Sequence, residues 1–165
     1  MEDNKTAQVF IGLGSNLGDK EGNIKSAIDR IIGLYETSLI KSSSLYRTSP
    51  VGNVDQDWFV NAVISLETML PPKRLLTSLL DIENSLGRVR RKKWGERTID
   101  IDILLYDDII LSNGDLIIPH PHLHERRFVL QPLFEIAPGL LHPLLKESIS
   151  GLLHGLDTDE EVEKI

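Results

Sequence analysis

The order of strand and helix patterns is the feature that most limits the folds open to this chain. Residues 8–13 form an apolar run that is typical of a buried strand. After a glycine-rich stretch, Asp19 can cap a helix whose apolar positions recur between residues 24 and 35. Residues 39–46 then suit a second strand. The first part of the chain therefore reads strand, helix, strand.

The next part repeats this plan. The side chains of residues 58–68 alternate in character, as expected for a strand whose two faces lie in different environments. One face carries Val60, Ala62, Ile64 and Leu66, and the other carries Phe59, Asn61, Val63 and Ser65. Pro71 and Pro72 open a helix that runs to Leu86, and Gly87 stops it. A further strand ends at Tyr106.

The resulting βαββαβ order predicts an α+β protein with a ferredoxin-like core, in which helices cover a mainly antiparallel sheet. Short strands near residues 109–111 and 116–118 and helices near residues 125–137 and 148–156 are additions to that core. Pro132 is expected to interrupt the first of these helices. Residues 1–165 form one domain, in which 1–6 and about 157–165 are flexible tails.

Composition restricts the classes of partner. The net charge of −7 argues against general nucleic-acid binding, which favours a broad basic surface. The N-terminal residues are polar and acidic, unlike a signal peptide, and no apolar run approaches the ~20 residues of a membrane span. Cysteine is absent, which excludes thiolate chemistry. We expect a cytoplasmic monomer that binds neither nucleic acid nor membrane.

Two carboxylates share one face of the strand that ends at Tyr106. Asp100 and Asp102 alternate with apolar residues that fill the other face: Ile99, Ile101, Ile103 and Leu105. Their Cα atoms lie about 6.5–7 Å apart in an extended strand. From there the carboxylates can converge on one hard cation or on a pair of cations. The alternative is an ordinary strand with a polar face.

A basic segment precedes this strand. Residues 87–97 contain six basic residues and one acidic residue, a local charge of +5 on an acidic protein. Such a segment is often only a solvated loop, but beside two carboxylates it indicates a site for a small polyanion. Carboxylates for Mg²⁺ next to guanidinium groups for phosphate are typical of phosphoryl transfer.

Two other motifs carry weaker signals. The glycines between residues 12 and 18 follow GxGxxxG spacing, one residue longer than a dinucleotide-binding fingerprint, and we expect them to form a turn. His120, His122 and His124 lie in a proline-bounded loop without the further ligands that a structural zinc ion needs. A histidine contact with phosphate or nucleotide is the better interpretation.

With these residues in view, the chain resembles the 6-hydroxymethyl-7,8-dihydropterin pyrophosphokinase family from residue 9 to about residue 143. The most specific resemblance is residues 93–104. Supporting stretches are residues 14–18, 46–48, 59–62, 87–90 and 132–138, together with Glu83. The resemblance implies transfer of diphosphate from ATP to the hydroxymethyl group of the dihydropterin in folate biosynthesis, which releases AMP.

The resemblance also implies roles for individual residues. Asp100 and Asp102 would hold two Mg²⁺ ions and, with Arg88 and Arg97, form the catalytic set. The pterin would be bound by Thr48, Val51, Gly52, Phe59, Asn61, Trp94 and Phe128. ATP would be bound by Glu83, Arg88, Arg90, Arg91, Lys93, Arg97, Ile103, His120 and Arg126. Residues 88–95 are expected to act as a lid over the substrates.

Two rival functions remain open at the level of sequence. A ferredoxin-like sheet can serve as an RNA-binding module, but that function favours exposed aromatic residues on the strands and a basic face. Only 5% of this chain is aromatic, and its strand presents two aspartates instead. A nucleotide-binding regulator without catalytic activity is the other alternative.

Overall fold

A six-stranded antiparallel sheet forms the centre of the computed structural model, which describes residues 5–49, 57–87 and 98–165. The strands are β1 (Ala7–Ser15), β2 (Thr37–Ser42), β3 (Tyr46–Thr48), β4 (Phe59–Thr68), β5 (Asp100–Tyr106) and, after a hairpin of β6 (Leu111–Asn113) and β7 (Leu116–Ile118), β8 (Val162–Lys164). The helices are α1 (Lys20–Ile32), α2 (Pro72–Ser85), α3 (Arg127–Ile136) and α4 (Ile149–His154).

The strand order confirms the ferredoxin-like core. The sheet runs β5-β1-β4-β3-β8, and β2 also pairs with β4. The first two βαβ units therefore interleave, which places β1 and β4 side by side at the centre of the sheet. These two strands pair over their full shared length, from Ala7 opposite Thr68 to Ser15 opposite Val60. No helix within the described residues is long and apolar enough to cross a bilayer.

Helices α1 and α2 pack on one face of the sheet and bury what we call the rear core. Asp19 caps α1 as expected, because its Oδ1 accepts a hydrogen bond from the Gly22 N–H at 3.1 Å. The rear core includes Val9, Ile11, Leu13, Ile24, Ala27, Ile31, Val60, Ala62, Ile64, Leu66, Leu75, Leu79, Ile82, Ile101 and Ile103. Tyr35, the last apolar position of the predicted helix, is 68% exposed and lies beyond α1, which ends at Ile32.

Helices α3 and α4 pack on the opposite face and bury the front core. Its members are Phe10, Val63, Leu104, Leu105, Leu123, Val129, Leu130, Leu133, Ile149 and Leu153. Leu105 thus belongs here rather than behind the two aspartates, because the pairing of β1 with β5 shifts register between Phe10 and Ile11. Helix α3 continues through Pro132, which is buried, so the expected interruption of this helix is wrong.

The predicted second strand is split into β2 and β3. Ser43 explains the break, since its Oγ accepts a hydrogen bond from the Val63 N–H at 3.0 Å where a strand carbonyl would otherwise lie. The backbone N–H of Ser43 still donates to the Val63 carbonyl at 2.9 Å. Both short strands therefore remain attached to β4.

The C-terminal residues also differ from the expectation of a flexible tail. Val162–Lys164 forms β8, which pairs with β3 along the edge of the sheet. The expected strand at 109–111 lies instead at Leu111–Asn113, after a turn with Asp107 at positive φ. Residues 1–4 lie outside the described part of the chain.

Candidate active site

Two glycines leave the front face of β1 without side chains at one end of the sheet. Gly14 pairs with Asn61 on one side and with Asp100 on the other. Gly12 occupies the next position on this face and pairs with Asp102. Paired residues point to the same face, so β1 forms a strip between an amide and two carboxylates. The strands that flank this glycine strip are roughly 9.5 Å apart.

Neither glycine is part of a turn, contrary to expectation. Both lie inside β1, and of the glycines in this stretch Gly18 has the positive φ, at 73°. Gly14 is needed for space instead: a Cβ built on it would lie 2.6 Å from Asn61 Nδ2.

The amide of Asn61 is held in a buried hydrogen-bond network. Thr48 Oγ1 donates to Asn61 Oδ1 at 2.7 Å, and Asn61 Nδ2 donates to the Leu13 carbonyl at 3.4 Å. Asn61 is 7% exposed and Thr48 is 2% exposed. A primary amide has two donor and two acceptor positions, so each end retains one position for a ligand. Two of the predicted pterin residues therefore act as a unit.

The two predicted stacking residues lie on elements that pack together. Phe59 is on the front face of β4, and Phe128 is in the first turn of α3, which contacts that face. Both side chains are half-buried. The guanidinium carbon of Arg126 lies 5.5 Å from the centroid of the Phe128 ring. A predicted nucleotide residue is thus adjacent to a predicted pterin residue.

The predicted alternation of polar and apolar side chains along β5 is present from Asp100 to Ile103. Asp100 is half-buried and Asp102 is exposed, whereas Ile101 and Ile103 are buried in the rear core. The side chain of Ile103, predicted to contact ATP, therefore lies on the opposite face from the two aspartates. Among the described residues, no group of three or more histidine, cysteine, aspartate or glutamate side chains could hold a metal ion. In the described part of the chain, the carboxylates that could bind a metal ion at this site are therefore those of Asp100 and Asp102.

Two polar residues support the start of β5 from the helices. Glu83 on α2 accepts a hydrogen bond through Oε2 from the Ile101 N–H at 2.7 Å. Glu83, predicted to line the nucleotide pocket, thus binds the backbone between the two aspartates. Asn23 on α1 donates from Nδ2 to the Leu17 carbonyl at 2.8 Å and to the Thr98 carbonyl at 3.3 Å. Sequence reasoning missed Asn23, because its contact with Thr98 spans 75 residues of the chain.

The contact of Glu83 with β5 leads to a stability prediction. Glu83→Ala leaves the N–H of Ile101 without this acceptor on the outer edge of the sheet, and should lower the free energy of unfolding by about 1–3 kcal/mol. Glu83→Gln retains a side-chain oxygen and should lose less. Urea denaturation of both variants measures the difference. Equal losses for the two would show that the charge of Glu83, rather than its hydrogen bond, stabilises β5.

His120 is attached to β5, the strand that carries the two aspartates. The backbone N–H of His120 donates to the Leu104 carbonyl at 3.0 Å, and the ring Nδ1 of His120 accepts from the backbone N–H of His122 at 3.1 Å. Burial, followed by the positive charge of Arg126 and the nearby His122, lowers the pKa of His120 to about 4. At neutral pH the ring therefore offers hydrogen bonds rather than a charge. The folded state disfavours its protonation, so this histidine reduces stability as pH falls from about 6.5 towards 4.

The remaining predicted site residues lie outside the described residues. They are Val51 and Gly52 for the pterin, Trp94, and the basic residues Arg88, Arg90, Arg91, Lys93 and Arg97. The predicted lid at 88–95 also lies there. Within the described part, the structure brings Thr48, Phe59 and Asn61 together on one side of the glycine strip and Asp100 and Asp102 on the other.

Comparison with known proteins identifies the family of this chain. The family model for 7,8-dihydro-6-hydroxymethylpterin-pyrophosphokinase (HPPK) matches residues 10–138. A 2-amino-4-hydroxy-6-hydroxymethyldihydropteridine pyrophosphokinase from Haemophilus influenzae is 48% identical over 134 residues, which cover 81% of this chain and 84% of the relative. The enzyme of that name from Methylorubrum extorquens is 45% identical, over 81% of this chain and 85% of its own.

A solved structure supports the fold. The crystal structure of Plasmodium falciparum HPPK-DHPS with pterin and p-hydroxybenzoate superposes with a TM-score of 0.73 at 20% identity, over 93% of this chain. This chain spans 44% of the length of that Plasmodium chain. Most of the sequence, including the Asp-bearing strand, the glycine strip and the amide opposite it, lies within the matched range. The chain belongs to the 7,8-dihydro-6-hydroxymethylpterin-pyrophosphokinase family.

Proposed function

We propose that this protein transfers diphosphate from ATP to the hydroxymethyl group of 6-hydroxymethyl-7,8-dihydropterin, with Mg²⁺, and releases AMP. Family membership and the named relatives support a pterin pyrophosphokinase function in folate biosynthesis. The observation that carries the proposal is the glycine strip, which separates a buried amide from two carboxylates on one face of the sheet. Two substrates of different chemistry can meet across a strip without side chains.

The amide side of the strip suits a flat heteroaromatic ring. Asn61, held by Thr48, offers one donor and one acceptor to the polar edge of such a ring. Phe59 and Phe128 supply aromatic surfaces from two different elements, and aromatic rings stack well on a flat heterocycle. These residues would orient the pterin so that its hydroxymethyl group lies towards the aspartates.

The carboxyl side suits magnesium with phosphate. Carboxylate oxygens are the hard ligands that Mg²⁺ prefers, and Mg²⁺ is commonly bound through one or two carboxylates plus substrate phosphates and water. Asp100 and Asp102 fit this donor set, and they are the residues that would hold the metal. When bound, Mg²⁺ would neutralise charge on the triphosphate.

The reaction forms one bond and breaks one. The hydroxymethyl oxygen bonds to the β-phosphorus of ATP and releases its proton to the solvent, while the bond between that phosphorus and the bridging oxygen of AMP breaks and leaves its electron pair on that oxygen. The protein contributes by holding the pterin at Asn61, by excluding water from the buried amide, and by binding phosphate oxygens near the aspartates. By the family resemblance, Arg88 and Arg97 would contact the phosphates.

Formation of AMP tests this function against its rivals. The protein is incubated with ATP, Mg²⁺ and the hydroxymethyl dihydropterin, and we expect AMP and the pterin diphosphate in equal amounts. AMP formed equally well without the pterin, or ADP formed in its place, would contradict the proposal. Binding of single-stranded RNA without turnover would favour the RNA-binding alternative, and ATP binding without turnover the regulator.

We also propose that the protein acts as a monomer in the cytoplasm. This rests on the acidic composition and on the absence of cysteine, which suits a reducing compartment. Light scattering of the purified protein at micromolar concentration should give a mass near 18.6 kDa. A mass of twice that value would contradict the monomer.

Phe59 and Phe128 would form the walls of a slot for the pterin, the pterin slot, and this leads to a binding prediction. Phe59→Ala or Phe128→Ala should weaken pterin binding by about 1–3 kcal/mol, by analogy with base–aromatic stacking. ATP binding should be nearly unchanged. Phe134→Ala is the matched control, because Phe134 is also on α3 and half-buried but packs against the ring of His154. Titration calorimetry with each ligand measures the effect. Equal losses of ATP and pterin affinity would indicate that both phenylalanines only pack the core.

A further inference from the structure

The last residues of the chain run along the strand that carries Thr48. β8 pairs antiparallel with β3, with Val162 opposite Thr48 and Lys164 opposite Tyr46. The N–H of Ile165 donates to the Leu45 carbonyl at 2.9 Å, which extends this contact by one residue. These residues lie beyond residue 138, where the match to the family model ends.

A reciprocal pair of hydrogen bonds fastens the other end of this contact. The Ser49 N–H donates to the Glu161 carbonyl, and the Glu161 N–H donates to Ser49 Oγ, both at 3.1 Å. Ser49 directly follows Thr48, whose hydroxyl orients the Asn61 amide. The backbone position of Thr48 is therefore held by the C-terminal residues on one side and by β4 on the other.

The same segment also holds the first turn of α3. Glu160 Oε1 accepts a hydrogen bond from the Arg127 N–H at 2.6 Å, across 33 residues of sequence. Arg126, at the N-cap position of α3, makes no side-chain capping bond. Glu160, although distant in sequence, thus supplies the hydrogen-bond acceptor and the negative charge that stabilise the N-terminus of a helix. Phe128 is the next residue in that turn.

We propose that residues 160–165 form a strap that sets the geometry of the pterin slot, with Glu160 as a positioning residue. The strap joins the two walls of the slot, because its backbone holds the strand of Thr48 and its Glu160 side chain holds the turn of Phe128. Glu160 acts through Arg127 and Phe128 rather than by touching the substrate. The proposal rests on the proposed function for its kinetic test, but the strap itself can be tested without activity.

The kinetic test separates the two substrates. Glu160→Ala should raise the KM for the hydroxymethyl dihydropterin about five- to tenfold, which is within the net worth of one ordinary hydrogen bond because Glu160 acts on the substrate only indirectly. The KM for ATP should stay within about twofold of its original value, which a general loss of structure would not allow. Glu160→Gln retains a side-chain oxygen as acceptor and should restore most of the pterin KM. Glu163→Ala is the matched control in the same segment, since Glu163 pairs with Arg47 on the surface.

Hydrogen exchange provides the readout that does not depend on activity. In Glu160→Ala, amides in residues 127–131 should exchange faster than in the original protein, while those of α1 should not. Unchanged exchange in the first turn of α3, equal increases of both KM values, or the same effect from Glu163→Ala would each overturn the strap. If the original protein forms no AMP with the pterin but exchange at α3 still responds to Glu160→Ala, the proposed function fails and the strap stands.

Discussion

Replacement of Asp102 or Asp100 by alanine should abolish turnover and leave the protein folded. The two side chains lie on the front face of β5, exposed or half-buried, while the apolar residues between and after them remain in the rear core. A metal that neutralises charge on a triphosphate supplies several kilocalories per mole to the transition state. We therefore expect kcat to fall about 10³-fold or more in either variant.

The measurement is the rate of AMP formation at saturating Mg²⁺, with a thermal melt of each variant. Asp108→Ala is the control, because Asp108 is an exposed aspartate just beyond β5. Near-normal activity of Asp100→Ala or Asp102→Ala would show that the aspartate pair does not hold the metal. A large fall in melting temperature would instead show that the two aspartates are needed for the stability of the folded protein.

Gly14→Ala should selectively destroy pterin binding. The added Cβ would lie 2.6 Å from Asn61 Nδ2, so the amide must move. Asn61 is buried and bonded to Thr48, so this movement breaks the network that presents the amide to a ligand. Loss of a well-placed pair of hydrogen bonds to a buried polar group raises the pterin KM about 100-fold or more.

Gly12→Ala is the matched control in the same strand. The three atoms nearest to its Cβ all belong to the Leu104 side chain, the closest at 3.4 Å, so the Asn61 amide is not displaced and the pterin KM should change little. Steady-state kinetics with each substrate varied in turn measure the comparison. A Gly14→Ala enzyme with normal pterin KM would mean that Asn61 does not bind the pterin.

The fold was largely predictable from the sequence because the spacing of apolar residues within each core strand and helix indicates which of its faces is buried. β4 alternates between the rear and front cores as its residues indicated, and Asp19 caps α1. The short edge strands were missed or misplaced because their pairing depends on a partner. The pattern of residues 162–164 is that of an exposed tail, and only the edge of β3 makes it a strand.

The candidate site was predictable where its residues are close in sequence. Asp100 and Asp102 are two residues apart, so strand periodicity alone places them on one face. The glycine strip was not predictable, since it depends on the register that sets Gly14 between Asn61 and Asp100. The same holds for Glu160 and Arg127, and for Tyr46, whose hydroxyl donates to Glu135 on α3 at 2.7 Å.

The placement of the two cores has a consequence for how this protein can change over evolutionary time. The rear core lies on the face of the sheet away from Asp100 and Asp102, so we expect substitutions among its apolar side chains to alter heat resistance more than substrate binding. The front core is continuous with α3, whose first turn carries Phe128, so repacking there also alters which substrates are accepted. Substitutions in the rear core can therefore adapt the protein to another temperature without changing its substrate preference.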